Sequence, residues 1–282
     1  MKDIEESDLK FSVLMSVYKK EQPVYLKECL DSLVNQTIQP NELVLIEDGP
    51  LTNDLYTVLD EFENQHPGLL NRNPLEENVG LGKALAIGVE YCRYSLIARM
   101  DTDDIAVNTR FEKQLREFVK NPKLGIVGSD INEFETDISN IVAKRIVPHS
   151  YEDILKTAKR RNPFNHMTVL YRKEEVLRAG NYMVLNGFED YYLWVRMLKN
   201  DTLAKNVPEV LVHARAGRDM FMRRGGYKYL KDSKLARKKI HEVGLNSYMD
   251  YFLSTAGQII VSIMPNQLRA YIYTKLLRKE SK

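Results

Sequence analysis

The chain has 282 residues, 41 Lys and Arg against 39 Asp and Glu, and 44% hydrophobic residues, arithmetic that argues against disordered, collagenous and membrane-spanning classes. The net charge of +2 hides a partition: residues 218–282 carry 14 basic against 5 acidic side chains, whereas residues 1–217 carry 27 against 34. Such asymmetry points to an anionic partner for the basic part. Two cysteines, Cys29 and Cys92, are too few for a disulfide framework, so a reducing compartment is expected. The polar, acidic MKDIEESDLK lacks the apolar core of a signal peptide. The most apolar runs, 11–18 and 259–264, fall short of the ~18 to 20 residues of a spanning helix, so any membrane contact is expected to be peripheral.

Residues 11–18 (FSVLMSVY) form a nearly continuous apolar run, the pattern of a strand covered on both faces in a parallel sheet. In YLKECLDSLVNQT, Leu26, Leu30, Leu33 and Val34 then recur at helical spacing until Pro40 breaks the pattern. Residues 43–46 (LVLI) read as a second buried strand, ending in Glu47-Asp48-Gly49-Pro50, and 54–62 as a short helix. A helix from about 81 to 92, a strand 95–100, a helix 110–119 and a strand 124–128 continue the rhythm, which predicts an open α/β sheet over about the first 130 residues. Beyond it the pattern loosens into a hairpin 132–147, a helix 151–159, a strand 167–172, a helix 189–199 and a strand 209–214, with a basic helical signal from Arg218 onward.

Ligands of open α/β sheets bind outside the carboxyl ends of the strands. There the first strand delivers Ser16 and Tyr18, the second Glu47 and Asp48, and the strand after the third helix Asp101-Thr102-Asp103-Asp104. Three carboxylates so close repel one another unless a cation or hydrogen-bond donors offset the charge, and a hard divalent cation fits. The alternative is an acidic loop opening a helix, since acids are favoured in a first turn. The GLGK at 80–83 lacks the spacing of a phosphate loop and reads as a helix start; no GxGxxG follows the first strand, which disfavours a dinucleotide oxidoreductase.

Taken as an ordered set, FSVLMSVYKKEQPVYLKECLDSLVNQTIQPNELVLIEDG, NVGLGKALAIGVEYCRYSLIARMDTDD and GFEDYYLWVRML resemble the family 2 glycosyltransferases of the GT-A fold, over roughly residues 10–200. The resemblance implies an α/β fold with a Rossmann-like, mostly parallel sheet, a mixed acceptor half and C-terminal helices. The catalytic domain would be 1–217, with a nucleotide-binding half at about 10–130 and an acceptor half at 131–217, followed by a basic helical extension at 218–282. It implies that Ser16 and Tyr18 contact the nucleotide base, that Asp48 bonds uracil, that Asp101 lies near the ribose and that Asp103 binds Mn²⁺ or Mg²⁺ on the diphosphate. Asp104 is a weaker match, helix cap or support. Lys83, or an arginine among Arg215, Arg218, Arg223 and Arg224, would add donors to the diphosphate, a solvated basic face being the alternative for the arginines.

Glu189-Asp190 resembles the family's ED motif, which makes Asp190 the general base that takes the proton of an acceptor hydroxyl. Glu189 would tune it or bind an acceptor hydroxyl; acids that merely stabilise a helix N-terminus are the alternative. Trp194 reads as an acceptor platform or as core, and His166 as a phosphate or acceptor contact or as a structural histidine. A single carboxylate at the anomeric centre implies inversion. The resemblance further implies a UDP-hexose donor, glucose or galactose, and a lipid-linked acceptor such as GlcNAc- or GalNAc-diphospho-undecaprenol in O-antigen or surface polysaccharide assembly. The place of action would be the cytoplasmic face of a bacterial membrane, with no nucleic-acid partner. Residues 265–279, with Leu268, Ile272 and Leu276 beside Arg269, Lys275, Arg278 and Lys279, read as a basic amphipathic helix that lies on an anionic membrane or packs back on the domain. Two rivals stand beside this reading: a phosphohydrolase using Asp101 as nucleophile, whose motif belongs on a first strand, and a non-catalytic nucleotide or nucleic-acid binding module.

Overall fold

A computed structural model of the chain describes residues 8–216 and 226–263. The apolar run at the start forms β1 (Phe11–Val17), in which only Ser16 is not fully buried. Helix α1 (Pro23–Val34) opens with a proline in its first turn, where the missing N–H has no intrahelical partner to lose. Then follow β2 (Glu42–Glu47), α2 (Asn53–Gln65), β3 (Leu70–Pro74), α3 (Leu81–Tyr91), β4 (Leu96–Arg99), the short β5 (Ile105–Ala106) and α4 (Arg110–Lys120). The second half comprises β6 (Leu124–Phe134), β7 (Ile141–Arg145), α5 (Tyr151–Ala158), a 3-10 turn (His166–Thr168), β8 (Leu170–Arg172), α6 (Lys173–Arg178), α7 (Glu189–Lys199) and β9 (Leu203–Arg215). Helices α8 (Gly226–Glu242) and α9 (Tyr248–Ile263) end the described chain.

One nine-stranded sheet runs in the order β3-β2-β1-β4-β8-β6-β9-β5, with β7 paired to β6. The strands β3, β2, β1 and β4 are parallel, so their carboxyl ends share one edge. Strand β8 is antiparallel to β4, with Ala98 opposite Leu170. Its amino end, and the 3-10 turn before it, therefore meet the carboxyl end of β4. Alternation along the strands feeds two cores, as the period of two requires. Val13, Met15, Leu43 and Leu45 face α1, α2 and α4, whereas Leu14, Val44 and Ile46 face α3 and the second half. A third, smaller cluster joins Leu185, Phe188, Tyr191 and Val195 to Ala236 and Ile240, which seats α8 on α7.

The structure departs from the periodicity where buried polar residues interrupt it. Strand β6 is continuous through Ser129 and Asp130, both buried; Asp130 accepts bonds from Val147 N (3.0 Å) and lies 3.1 Å from His149 Nε2. Strand β9 likewise starts at Leu203, six residues before the expected 209. Residues 166–168 are a 3-10 turn, which leaves only 170–172 of the expected 167–172 as strand. Strand β3 (LNRNP), β5 and α6 carry too little apolar pattern to have been expected. Among the described residues, no helix is long and apolar enough to cross a membrane. The amphipathic segment 265–279, and Arg218, Arg223 and Arg224, lie outside the described residues.

Candidate active site

The acid cluster begins where β4 ends, on a base of buried arginine. Arg99, inside β4, donates to the carbonyl of Met100 and pairs with Asp101. Arg110, fully buried at the start of α4, donates to Arg99 O (2.7 Å) and Gln114 Oε1 (3.1 Å); burial pulls it down to about 9, which still leaves it cationic at neutral pH. Helix α4 starts at Arg110 behind Thr109, so the acids are not its first turn. That removes the helix-opening reading of the cluster. Asp104 instead accepts from Arg215 N (2.8 Å), which ties the loop to β9, and its Oδ2 is buried without a partner.

Arg215 corrects a second expectation. Its Nε donates to Asp103 O (3.1 Å), it pairs with Glu28, and its guanidinium lies 3.8 Å from the Tyr25 ring centre and 4.5 Å from that of Phe134. So placed it braces the acidic loop and is not available to a diphosphate. Asp103 itself is half-buried; burial, then Asp101, then Glu21 push its carboxyl up to about 7. Burial and Asp103 likewise raise Asp104 well above the usual range. Uncompensated negative charge beside an orphaned carboxylate oxygen is the environment a divalent cation relieves, so these residues fit Mn²⁺ or Mg²⁺. Among the described residues no three His, Cys, Asp or Glu side chains form a ready cage, which leaves the other ligands to substrate phosphate oxygens and water.

Next to this loop, Ser16 is half-buried and Tyr18 exposed at the carboxyl end of β1. Asp48 follows β2, but its oxygens are engaged: Oδ1 accepts from Val79 N (2.7 Å), and Oδ2 from Gly80 N (3.1 Å) and Asn78 Nδ2 (3.0 Å). Its first task is therefore to fasten the loop that starts α3. Gly49, at φ +83, lets that loop approach, since a Cβ there would sit 2.7 Å from Asn78 N. Lys83 stands exposed in the first turn of α3.

The two acids of α7 diverge. Glu189 turns toward α3, where a Cβ on Gly82 would lie 2.7 Å from its Cγ, and burial raises its carboxyl. Asp190 turns the other way, accepting from Asn162 Nδ2 (2.6 Å) and Tyr191 N (2.7 Å), and lines a cleft of about 370 Å³ with Asn162, His166, Phe188 and Tyr191. His166 and Tyr182, whose Nε2 and hydroxyl are 3.0 Å apart, lie within electrostatic reach of both Asp101 and Asp190. The turn that carries His166 thus joins the cleft of Asp190 to the end of β4, where Asp101 follows, through the bond from Arg99 N to Val169 O (2.8 Å). Burial, then Arg99, pull His166 down to about 4, so its imidazole is neutral at physiological pH. It serves as a neutral hydrogen-bonding group and not as a cationic phosphate anchor.

Trp194 is wholly buried, its ring packed against Phe164 (5.8 Å between centres), His166 (6.0 Å), Tyr171 (6.1 Å) and Tyr182 (6.2 Å). No face of it is open to a saccharide, which corrects its expected place as an acceptor platform. Trp194→Ala is expected to cost about 3 to 5 kcal/mol of stability, the range for emptying a large aromatic site in a core. Thermal unfolding of Trp194→Ala, with acceptor KM for the gentler Trp194→Phe, checks this: a normal melting temperature in the first or a large KM rise in a well-folded second restores the platform.

Glu21, Arg99, Arg110 and Asn162 join the site without having been expected. Glu21 accepts from Thr102 Oγ1 (2.7 Å) and adds a fourth acid to the cluster. A signal existed for Arg99, a charge inside the apolar run SLIARM, but none marks Asn162, which reaches Asp190 across 28 positions.

Comparison with known proteins adds findings of three kinds: a family model, relatives in sequence and solved structures. The family model described as Glycosyl transferase family 2 matches residues 12–179. An uncharacterized glycosyltransferase of Haemophilus influenzae is 42% identical over 271 residues, covering 96% of this chain and 100% of that protein. The amylovoran biosynthesis glycosyltransferase AmsE of Erwinia amylovora is 39% identical, over 94% of this chain and 98% of its own. The UDP-Gal:alpha-D-GlcNAc-diphosphoundecaprenol beta-1,3-galactosyltransferase of Escherichia coli is 37% identical, over 96% and 97%. Among solved structures, S. aureus TarS 1–349 in complex with UDP-GlcNAc aligns with a TM-score of 0.65 at 18% identity, over 95% of this chain and 77% of that one; the chain spans 46% of the longer TarS chain. The mannosyltransferase PcManGT of Pyrobaculum calidifontis, in complex with GDP-Man and Mn²⁺, aligns at 0.58 and 15% identity, over 96% and 87%. At such identities the likeness is one of fold, the GT-A fold that the motifs had implied.

Proposed function

Since the chain belongs to glycosyl transferase family 2 and is a glycosyltransferase, we propose that it moves a hexose, galactose or glucose, from a UDP-sugar to a lipid-linked saccharide such as GlcNAc- or GalNAc-diphospho-undecaprenol, with inversion, in the assembly of a surface polysaccharide. The observation that supports this reading is that the turn of His166, a residue that lines the cleft with Asp190, is bonded to the end of β4 (Arg99 N donating to Val169 O, 2.8 Å), where the acid loop begins. Support for the substrates comes from the 37% identity, over nearly all of both chains, to a UDP-galactose-dependent enzyme with a diphosphoundecaprenol acceptor.

In this reading Ser16 and Tyr18 flank the base, Asp48 holds the loop of α3 against the nucleotide, and Lys83 approaches the diphosphate. Asp101, paired with Arg99, lies near the ribose, and Asp103 would hold Mn²⁺ or Mg²⁺. Such a cation supplies Lewis-acid stabilisation of the charge that develops on the leaving diphosphate. Asn162 holds one oxygen of Asp190, which leaves the carboxylate oriented toward the cleft. As the acceptor oxygen bonds to the anomeric carbon and the bond from that carbon to the β-phosphate oxygen breaks, Asp190 accepts the hydroxyl proton. One displacement at an α-linked donor gives a β-linked product. The enzyme would act while peripherally bound at the inner face of the cell membrane.

Radiolabelled UDP-galactose and UDP-glucose, offered with short-chain synthetic GlcNAc- and GalNAc-diphosphate lipids and Mn²⁺, test the proposal. A β-linked disaccharide lipid with release of UDP is expected. Release of phosphate from simple esters without sugar transfer would instead favour the phosphohydrolase.

A further inference from the structure

The cleft at Asp190 does not end at the sugar-sized space. Its wall of Ile146, Val147, Pro148 and Arg161 is shared with a second, broader depression of about 960 Å³. Basic side chains dominate that depression: Lys156, Lys159, Arg160 and Arg161, with His149 at one side. The two carboxylates among its lining residues are already engaged. The Asp153 carboxylate accepts from Ser150 Oγ (2.8 Å), to which its own N–H donates in return (3.2 Å), and Asp250 accepts from Arg160 Nε (2.6 Å) and Ser247 Oγ (2.7 Å). No ion pair among the described residues uses Lys156, Lys159 or Arg161. The concave surface therefore carries a surplus of unpaired cations, which for the fold alone is a repulsive arrangement.

The position of Arg161 is specific. It precedes Asn162, the residue that holds Asp190, so a group bound by Arg161 is set against the acid through one residue of backbone. Arg161 lines both spaces, so an anion held by it lies where the cleft of Asp190 meets the depression. A guanidinium presents paired N–H donors matched to phosphate oxygens, and neighbouring lysines add point charges. The helix that carries Asp250, itself a lining residue of the depression, exposes the apolar side chains Tyr248, Met249 and Phe252. A sugar-sized space that adjoins a cationic seat matches the two polar parts of a glycosyl diphosphate.

We propose that the depression lined by Lys156, Lys159, Arg160 and Arg161 binds the diphosphate of the acceptor, with Arg161 as the specificity-determining residue that distinguishes a glycosyl diphosphate from a neutral glycoside. This rests on the acceptor side of the function proposed above and adds a site to it. Phosphate here has two sources, the acceptor's own diphosphate or the headgroups of anionic lipids, and the first is the assignment.

The test compares wild type with Arg161→Gln and Lys156→Gln, exposed positions whose replacement leaves the core untouched. Calorimetric titration with a short-chain alkyl diphosphate, without sugar and in EDTA so that the cation-dependent donor site is silent, is expected to show binding that Arg161→Gln weakens about tenfold, the loss of one charge-assisted contact. With GlcNAc-diphosphate-alkyl and GlcNAc-O-alkyl of equal chain length as acceptors, wild type should prefer the diphosphate. Arg161→Gln should lower that preference about tenfold through KM, with the KM of the UDP-sugar unmoved. Failure of wild type to bind the alkyl diphosphate, or equal use of both acceptors, overturns the site. Cosedimentation with phosphatidylglycerol vesicles separates the sources: if Arg161→Gln loses vesicle binding but keeps its alkyl diphosphate affinity, the depression is a headgroup contact and the assignment is wrong. If wild type binds the alkyl diphosphate through Arg161 yet transfers sugar to neither acceptor, the anion site stands and the proposed reaction falls.

Discussion

Asp190→Asn is expected to lower turnover by about 10² to 10⁴-fold, the usual contribution of a positioned proton acceptor, while UDP binding is unchanged. A sugar hydroxyl is a poor nucleophile, and the amide that replaces the carboxylate has no capacity to take its proton at the moment the new bond forms. The substitution keeps the shape of the side chain and leaves one oxygen for Asn162 or Tyr191 N, so a loss of rate without a loss of fold is attributable to chemistry. Single-turnover rates with saturating donor and acceptor, alongside calorimetric binding of UDP, make the measurement. A variant with full turnover would assign the proton to another group, and loss of UDP binding would place Asp190 on the donor side.

The second large effect is expected at Asp103, whose replacement by Ala should abolish the metal-dependent part of UDP binding, on the order of 100-fold in affinity with Mn²⁺ present, since a Lewis-acid contact is worth several kcal/mol. Stability should move the other way or not at all. Burial and the carboxylates of Asp101 and Glu21 push the Asp103 carboxyl up to about 7, so near neutral pH its ionised form is disfavoured in the folded chain, and its removal relieves repulsion. Titration of UDP with Mn²⁺ and with EDTA, paired with a melting curve, resolves the two. Tight Mn²⁺-dependent binding by the variant would remove Asp103 from the cation site.

Much of the first half was legible because its strands are covered on both faces. A run such as LVLI at 43–46 needs no partner to be recognised, and the acids at its end and at the end of β4 fall where a parallel sheet presents its loops. What escaped was governed by distant partners. Glu42 opens β2 from a fully buried position because Ser12 Oγ and Arg93 satisfy its carboxylate; as a bare residue type it reads as surface. Ser129 and Asp130 hid the middle of β6 for the same reason. The helical spacing of α7 places Trp194 on a buried face but does not say whether that face meets a ligand or Phe164 and Tyr171. Asp48 was legible as a strand-end acid, whereas its bonds to the backbone 31 and 32 residues later exist only in the folded chain.

The missing side chain at Gly82 has a consequence for anyone who would alter this enzyme. Helix α3 begins at the loop held by Asp48, and α7 begins with the acid pair; at Gly82 the two meet with space for a hydrogen and not for a methyl. An enlargement there, introduced to reshape one substrate's pocket, would be transmitted through Glu189 to the start of the helix that carries Asp190. The loop that Asp48 holds and the helix that carries Asp190 therefore share one mechanical joint at this position. Changes of specificity are better sought at exposed side chains on either flank than at the seam between the helices.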